Sequence, residues 1–337
     1  MQKKIQAAVY RGNGILRLEA RNLPPVGPAD VRLGVAASGI CGTDIHILRE
    51  EYSSSPPVVL GHEFAGTVLE VGDQVSHVRE GDNVAVEPHI YCGICKYCRD
   101  GGEHLCINKQ AFGVHLDGGF AEQVVVPARN AYRLPPELDL RLGALAEPLG
   151  CCIHGVDSAA IKLGGNVAIF GAGFIGLLLA QLARGAGAGR IMMVEPNSRR
   201  RSLAQQYGAD IVVAPEEARE AILDLSDGYK MDVVFDATGI PRVIEQALAA
   251  TGRGGTLMVF GVAPPGELIS VSAYEIFREE ITIKGSLTNP YAHRRALALL
   301  PKLNLRELVT HTFPLEDIEA ALQAAREGAG LKIMVTP

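Results

Sequence analysis

The fold is decided by the stretch Val167-Ala168-Ile169-Phe170-Gly171-Ala172-Gly173-Phe174-Ile175-Gly176. A short aliphatic run leads into glycines spaced G-x-G-x-x-G, and a helix-like apolar segment follows. The spacing alone is weak evidence in a chain with 38 glycines. Its place between a predicted strand and a predicted helix, however, is the context that a dinucleotide-binding turn requires. Gly171 would allow the tight turn, Gly173 the approach of a pyrophosphate and Gly176 close helix–strand packing. A turn that serves packing only is the alternative.

Short aliphatic runs alternate with helix-like segments on the carboxyl side of this motif as well. Strands buried on both faces are continuous aliphatic runs, and their alternation with helices predicts a parallel, right-handed βαβ sheet. Six runs suit two mononucleotide-binding halves, so the predicted class is α/β with a doubly wound parallel sheet. The runs are Asn166–Phe170, Ile191–Val194, Ile211–Val213, Asp232–Phe235, Thr256–Phe260 and Ile281–Lys284.

An acidic residue, Glu195, ends the second predicted strand, about 20 residues beyond the last glycine of the motif. A carboxylate there can accept hydrogen bonds from both hydroxyls of an adenosine ribose, and its charge repels a 2′-phosphate. The residue therefore favours NAD over NADP. Arginines 199–201 keep NADP open, because a guanidinium can also bind a 2′-phosphate. An ordinary surface glutamate is the alternative for Glu195.

The flanking parts of the chain differ from this region. Residues 31–37, 64–71 and 120–126 alternate as half-buried strands do, among many Gly and Pro. Beyond Gly285, helices are predicted over Ala292–Leu300 and Leu315–Arg326, and the strand-like Leu331–Val335 is expected to return to the first domain's sheet. The predicted domains are 1–154, 155–290 and a C-terminal return over 291–337.

Composition excludes several classes of protein. With 337 residues and 47% hydrophobic content, the chain can build sizeable cores, so global disorder is excluded. With a net charge of −6, the chain lacks the excess of basic residues that is typical of nucleic-acid-binding proteins. The charged start Met1–Gln6 does not resemble a signal peptide, and no apolar run suits a membrane span. We therefore expect a cytoplasmic protein, in which clustered cysteines are metal ligands rather than disulfides.

Two sets of residues have metal-binding chemistry. The spacing Cys92-x2-Cys95-x2-Cys98-x7-Cys106 predicts a closed, all-cysteine zinc site that stabilises a small lobe over residues 88–108. An iron–sulfur cluster is the alternative, although no proline follows the last cysteine. The second set is dispersed along the chain and has the mixed S, N and O donors of a catalytic zinc with one open position. It consists of Cys41, His62, Glu63 and Glu147. Each of these residues also has an ordinary structural interpretation.

Taken together, these motifs resemble the zinc-dependent medium-chain dehydrogenases/reductases, the superfamily of alcohol, sorbitol and threonine dehydrogenases. The resemblance covers essentially the whole chain and implies a GroES-like, mainly β catalytic domain followed by a Rossmann domain. Glu147-Pro148-Leu149 stands where alcohol dehydrogenases have their second cysteine ligand, which resembles the polyol and threonine branch. The motifs, in the expected order, are Cys41-Gly42-Thr43-Asp44-x-His46, Gly61-His62-Glu63-x-x-Gly66, the four-cysteine lobe, Glu147-Pro148-Leu149 and Gly171–Gly176.

The resemblance also implies roles for individual residues. Cys41, His62 and Glu63 would bind the catalytic zinc, and Glu147 would be a fourth ligand or hold the zinc-bound water. Thr43 would pass the substrate's proton to the nicotinamide ribose, and His46 would relay it to solvent. The residues expected to contact the cofactor are Gly171, Gly173, Phe174, Ile175, Gly176, Glu195, Arg200, Thr238 and Val262.

The expected activity is hydride transfer from a secondary hydroxyl of a polyol to NAD, giving a ketose, with one catalytic and one structural zinc per chain. The segment Gly285–Pro290 lacks the arginine that sorbitol dehydrogenases carry there, and it is more similar to sugar-alcohol dehydrogenases. L-Threonine 3-dehydrogenase is the first alternative, and a non-catalytic NAD-sensing protein of the same fold is the second. The resemblance further implies a homodimer or homotetramer.

Overall fold

The computed structural model describes residues 4–337. The chain divides into two compact units, Met1–Gly150 with Pro290–Pro337, and Cys151–Asn289. Among the described residues, every helix is too short or too polar to cross a bilayer.

The strands, in chain order, are β1 Lys4–Tyr10, β2 Leu16–Asn22, β3 Asp30–Gly39, β4 Val58–Val59, β5 Glu63–Val71, β6 Asn83–Val86, β7 His89–Ile90, β8 Gln110–Ala111, β9 Gln123–Pro127, β10 Ala131–Arg133, β11 Asn166–Phe170, β12 Arg190–Val194, β13 Ile211–Val213, β14 Met231–Asp236, β15 Thr251–Val259, β16 Thr282–Gly285, β17 Val309–Pro314 and β18 Lys332–Thr336. The helices are α1 Gly42–Leu48, α2 Lys96–Arg99, α3 Leu140–Gly143, α4 Ala146–Ala159, α5 Phe174–Gly185, α6 Ser198–Ala204, α7 Ala218–Leu225, α8 Pro241–Ala250, α9 Ala273–Glu279, α10 His293–Leu299 and α11 Ile318–Arg326.

The first unit is built on a seven-stranded sheet of order β10-β6-β5-β3-β18-β17, with β9 also paired to β3. In β3 the burial alternates along the strand, with Val31, Leu33, Val35 and Ala37 facing the core, as the sequence predicts. β18 pairs antiparallel with β3, Met334 opposite Gly39, so the predicted return of the C-terminal strand to the first sheet is confirmed.

The predicted strand over 120–126 is wrong at its start, because β9 begins only at Gln123. Phe120 instead accepts a hydrogen bond from Ala8 N–H at 2.8 Å and donates to the Leu60 carbonyl at 2.9 Å. Residues 120–122 therefore belong to the β1 side of the unit, although Phe120 is fully buried, as its apolar character suggests.

The second unit is a six-stranded parallel sheet of order β13-β12-β11-β14-β15-β16. Numbered from β11, this is the 3-2-1-4-5-6 order of a doubly wound dinucleotide-binding fold, so the predicted class is confirmed. The fifth strand begins at Thr251, earlier than predicted. Its first residues are rich in glycine, and its pairing with β14 shifts register between Met231 and Val233. Such a bulge accommodates glycines that a regular strand disfavours.

The two predicted C-terminal helices are each too long. α10 spans His293–Leu299, and a 3₁₀ turn over Leu300–Lys302 carries the chain past Pro301. α11 spans Ile318–Arg326 after a 3₁₀ turn over Leu315–Asp317. The apolar period seen in the sequence continues through these turns, which is why it did not mark the helix ends.

Candidate active site and metal centres

The first unit brings three of the predicted donors together at one end of its main sheet. Glu63 is the first residue of β5 and lies opposite Gly39, the last residue of β3. Cys41 follows two residues later as the N-cap of α1. The ligand atoms of Cys41, His62 and Glu63 all lie within 4.8 Å of one another. His62 and Glu63 are buried and Cys41 is half-buried, so strand pairing and the β3–α1 turn assemble a thiol, an imidazole and a carboxylate.

Asp44 orients two of these donors, a role that the sequence analysis did not assign. Its fully buried carboxylate accepts the Cys41 N–H at 2.9 Å through Oδ2, and its Oδ1 lies 3.5 Å from His62 Nδ1. A carboxylate on one ring nitrogen leaves the other to a metal, as in the second shell of most zinc histidines. Asp44 stands inside the Cys41 motif, so its proximity to Cys41 was a signal available in the sequence.

The charges around His62 act strongly on its ring. Burial alone lowers the pKa of His62, but the negative charges of Asp44 and Cys41 outweigh it and raise that pKa well above its ordinary value. An environment that favours a positive charge on a buried imidazole is one that also favours a bound cation. A dication would take the place of the ring proton, because a metal ligand must be neutral imidazole.

Lys332 is a second neighbour that the sequence analysis missed. Its side chain is buried, donates from Nζ to the Ile40 carbonyl at 2.9 Å, and forms an ion pair with Glu63 Oε2. Burial by itself lowers the pKa of Lys332, but the charges of Glu63, Cys41 and Glu147 raise it overall. The acidic groups around it therefore favour the ammonium form of Lys332.

Glu147 is placed less closely than the other three. It is buried in the first turn of α4, and its charge acts on Lys332. Among the described residues, the group of mutually close donors contains Cys41, His62 and Glu63 but not Glu147. Its role as a direct ligand or as a holder of zinc-bound water stays a prediction.

Thr43 and His46 extend the site along α1. Thr43 Oγ1 lies 3.7 Å from Cys41 Sγ. His46 is half-buried, and its Nδ1 lies 2.7 Å from Glu51 Oε2, a partner that the sequence did not reveal. The contact favours the tautomer with a proton on Nδ1 and leaves Nε2 to exchange protons. Arg49 and Tyr52, which follow α1, are exposed.

The residues present fit a catalytic zinc. The donors are one sulfur, one nitrogen and one oxygen, which is a set that zinc accepts while keeping a position open. His62 Nδ1 and Asp44 Oδ1 are buried and, among the described residues, have no hydrogen bond of ordinary length. When the other ring nitrogen of His62 binds a metal, the 3.5 Å distance from Nδ1 to Asp44 Oδ1 is expected to shorten to hydrogen-bond length.

The four-cysteine lobe is assembled in the same unit. The Sγ atoms of Cys92, Cys95, Cys98 and Cys106 all lie within 4.8 Å of one another. The Cys95–Cys98 and Cys92–Cys98 sulfur separations are 3.6 and 4.0 Å, and all of these thiols are free. A tetrahedron of Zn–S bonds of about 2.3 Å has edges of roughly 3.8 Å. The distances match that edge and are far from the roughly 2.05 Å of a disulfide.

The lobe's thiols interact strongly with one another. Backbone N–H groups of Ile94 and Cys95 lower the pKa of Cys92 to about 6, whereas burial and the neighbouring sulfurs raise the pKa of Cys98 to about 12. Four thiolates so close together repel each other unless a cation lies between them. Only Cys106 of the four is buried, and Ile94 and Ile107 are about three-quarters exposed, at 70% and 73%. The lobe therefore lacks an apolar core of its own.

The second unit carries the glycine turn at the carboxyl end of β11. Gly171 has φ of +103°, a conformation that favours glycine. A Cβ on Gly176 would lie 1.9 Å from the Gly171 carbonyl oxygen, so only glycine permits this approach of α5 to the turn. Gly173 is the N-cap of α5 and is not capped by a side chain, and Phe174 and Ile175 begin the helix. The N–H groups there can receive an anion.

Glu195 follows the last residue of β12, beside this turn. Its buried carboxylate accepts the Ala172 N–H at 2.7 Å and the Asn197 N–H at 2.9 Å. Arg201 donates to the Glu195 and Pro196 carbonyls, which assigns one of the three arginines to the loop itself. A Cβ on Gly173 would lie 3.8 Å from Arg200 Nη1, so Arg200 reaches the glycine turn.

The remaining predicted cofactor residues lie at the ends of β14 and β15. Asp236, which the sequence analysis did not single out, accepts from the Thr238 N–H and hydroxyl and from the Gly239 N–H, at 3.0, 2.6 and 3.0 Å. A Cβ on Gly239 would lie 2.4 Å from the Val262 carbonyl oxygen, so the two loops touch through their backbones. Val262 itself is 56% exposed. Carboxyl ends of parallel strands are where doubly wound folds bind ligands.

The chain matches known proteins over nearly its whole length. Residues 27–136 match the alcohol dehydrogenase GroES-like domain, and residues 175–302 match the zinc-binding dehydrogenase domain. An L-threonine 3-dehydrogenase of Pyrococcus horikoshii is 37% identical over 93% of this chain and 92% of its own, and a D-altritol 5-dehydrogenase of Agrobacterium fabrum is 39% identical over 92% of each. A solved zinc-binding dehydrogenase of Sinorhizobium meliloti bound to NADP superposes with a TM-score of 0.95 at 36% identity, over 100% of both chains.

This chain belongs to the zinc-dependent medium-chain dehydrogenase/reductase family, and it is an oxidoreductase of the alcohol dehydrogenase class. The resemblance stated from the sequence motifs is thereby confirmed, as is the pairing of a GroES-like domain with a Rossmann domain.

Proposed function

We propose that this protein oxidises a secondary hydroxyl of a polyol with NAD and gives a ketose, in a reversible reaction. The observation that supports this most is the buried group of Cys41, His62 and Glu63, with the Thr43 hydroxyl beside it. Zinc bound by these three residues would act as a Lewis acid that lowers the pKa of the substrate hydroxyl.

The chain's own residues then handle the proton. The Thr43 hydroxyl would accept the proton of the substrate hydroxyl while giving up its own, and His46, held at Nδ1 by Glu51, would relay the released proton to solvent from its half-buried ring. Glu147, buried near Lys332, is proposed to complete the site as a ligand or as an acceptor for bound water. Bound NAD would supply the hydride acceptor, whose chemistry the protein orients rather than performs.

The identity of the polyol is supported by the segment that follows β16. Threonine needs a cation for its carboxylate and an anion for its ammonium group, whereas Ser286, Thr288 and Asn289 are neutral hydrogen-bonding residues. The lack of a charged side chain over Gly285–Pro290 agrees with the similarity of this segment to sugar-alcohol dehydrogenases.

L-Threonine 3-dehydrogenase is the second candidate, because several relatives at 33–37% identity carry that name. A relative in Enterococcus avium, 34% identical, is a D-arabitol-phosphate dehydrogenase, so phosphorylated polyols belong in the same test.

We expect a screen of NAD reduction over tetritols, pentitols, hexitols, their phosphates and L-threonine to show the highest kcat/KM with a polyol. The expected reason is that L-threonine brings two charges that neutral hydrogen-bonding groups leave unpaired, whereas an unphosphorylated polyol brings none. Turnover of L-threonine above that of every polyol would contradict the polyol assignment while leaving the dehydrogenase intact.

NAD is the proposed cofactor, supported by the position of Glu195. We expect Glu195→Gln to raise kcat/KM for NADP relative to NAD about tenfold, because it removes a charge–charge repulsion worth roughly 1.4 kcal/mol. Glutamine retains an oxygen that can accept one of the two loop N–H groups. The measurement is steady-state kinetics with both cofactors, with the exposed Glu216→Gln as the matched control. An unchanged ratio would show that Glu195 does not face the 2′ position.

Two zinc ions per chain, a homodimer or homotetramer and a cytoplasmic location complete the proposal. The free thiols at zinc-site spacing support the second zinc and a reducing compartment. β16 is the edge strand of its sheet and is exposed along its length, with Phe277 of α9 80% exposed before it. An exposed edge and apolar side chains of this kind suit pairing with a second copy.

A further inference from the structure

The most unusual buried charge in the first unit is Lys332. Lysine is almost never fully buried unless it is paired, and Lys332 is 4% exposed. Its Nζ contacts Glu63 Oε2 and the Ile40 carbonyl, so both of its identified partners are within two residues of the proposed ligand set. The buried ammonium group therefore lies against the proposed metal site.

The fold provides a specific path for this contact. Met334 of β18 lies opposite Gly39 of β3, and Gly39 lies opposite Glu63 of β5. The Lys332 side chain therefore reaches Glu63 across position 39. A Cβ at Gly39 would lie 2.2 Å from Glu63 Oε2 and 2.7 Å from Lys332 Cε. A side chain at this position would displace the two ends of the ion pair.

The ion pair with Lys332 involves one of the two carboxylate oxygens of Glu63. Lys332 contacts Oε2, and one carboxylate oxygen of Glu63 lies within 4.8 Å of the Cys41 and His62 donors. Anionic ligands reduce the Lewis acidity of a metal, and neighbouring groups that withdraw their charge restore it.

We propose that Lys332 is a positioning residue that limits how Glu63 binds the catalytic zinc. By holding Oε2, Lys332 keeps Glu63 a weak, one-oxygen ligand and keeps the site's position for the substrate hydroxyl open. The inference rests on the zinc site of the proposed function and adds a residue that acts on that site through Glu63.

The test replaces Lys332 by Met, which has a similar length and no charge. With the competing cation gone, Glu63 is expected to bind the metal more strongly. We expect the catalytic site's affinity for zinc, measured by chelator competition, to rise about tenfold while kcat falls about tenfold or more, since outer-shell changes shift metal affinity and activity on this scale. In the Co²⁺-substituted protein, the visible d–d absorption is expected to weaken as the coordination number increases.

Lys332→Arg keeps the charge and is expected to restore the wild-type cobalt spectrum. Lys302→Met, at an exposed position of the same unit, is the matched control and should change neither affinity nor spectrum. Should Lys332→Met fold poorly because Glu63 is left buried and unpaired, the double variant Glu63→Gln/Lys332→Met removes both charges. It should bind zinc as Glu63→Gln alone does, because Lys332 acts only through Glu63.

Two failures are distinguishable. If Cys41→Ser removes none of the cobalt–thiolate absorption of the wild-type protein, the proposed catalytic metal site itself is wrong. If that absorption is present but Lys332→Met leaves zinc affinity and the d–d bands unchanged, or weakens zinc binding, the role of Lys332 is overturned and the metal site stands.

Discussion

Replacement of Cys41 by Ser is expected to lower kcat about a thousandfold or more. A serine hydroxyl is a poor zinc ligand, so the variant loses the Lewis acid, whose effect of several kcal/mol corresponds to three or more factors of ten in rate. His62→Ala should have the same effect, because it removes a second donor of the same group. The measurement is steady-state turnover together with zinc content per chain.

NAD affinity in these variants should stay within about twofold of the wild-type value, because effects at separate sites are nearly independent. The residues proposed to bind the dinucleotide, including Gly171, Gly176 and Glu195, all belong to the other unit, Cys151–Asn289. Cys151→Ser, on α4 and outside both cysteine-containing donor groups, should keep both zinc ions. A parallel loss of NAD affinity in Cys41→Ser would contradict this division of roles.

Replacement of Cys95 by Ala should remove the second zinc and unfold the lobe locally. Residues 92–106 contain only short elements and several exposed apolar side chains, so metal ligation must supply most of their stability. We expect Tm to fall by roughly 3–4 °C, equivalent to about 2–3 kcal/mol at the unfolding entropy of a 337-residue protein.

Limited proteolysis followed by mass spectrometry would locate the change. The expected new cleavage sites lie within 92–106, and Cys151→Ala is the matched substitution that should show none there. A Cys95→Ala protein with wild-type Tm, one zinc fewer and an intact lobe would show that the metal is not structural.

The sequence carried enough information for the elements whose signals are local. β11 and β13 have the predicted bounds, because each is a short aliphatic run. For β11 the G-x-G-x-x-G spacing directly after the run adds a second local signal. The four cysteines could be predicted as one site for the same reason, since their spacing limits how far apart they can lie.

Residues that act across the sheet could not be predicted in this way. Lys332 and Ile40 are 292 positions apart, and their contact depends on the register of β18 against β3, which no local pattern specifies. β17, which also pairs with β18, was not predicted, because its half-buried residues alternate without a strong apolar run. Asp44 and Glu51 are close in sequence to Cys41 and His46, but a carboxylate near a donor indicates an orienting role only once its direction is known.

The most direct test of the central claim is anomalous diffraction at the zinc edge from crystals of the wild-type protein. Two peaks per chain are expected, one among Cys92, Cys95, Cys98 and Cys106, and one bounded by Cys41 Sγ, a His62 ring nitrogen and the Glu63 carboxylate. A zinc peak confined to the four-cysteine lobe, with no metal beside Cys41 in fully active protein, would contradict the account.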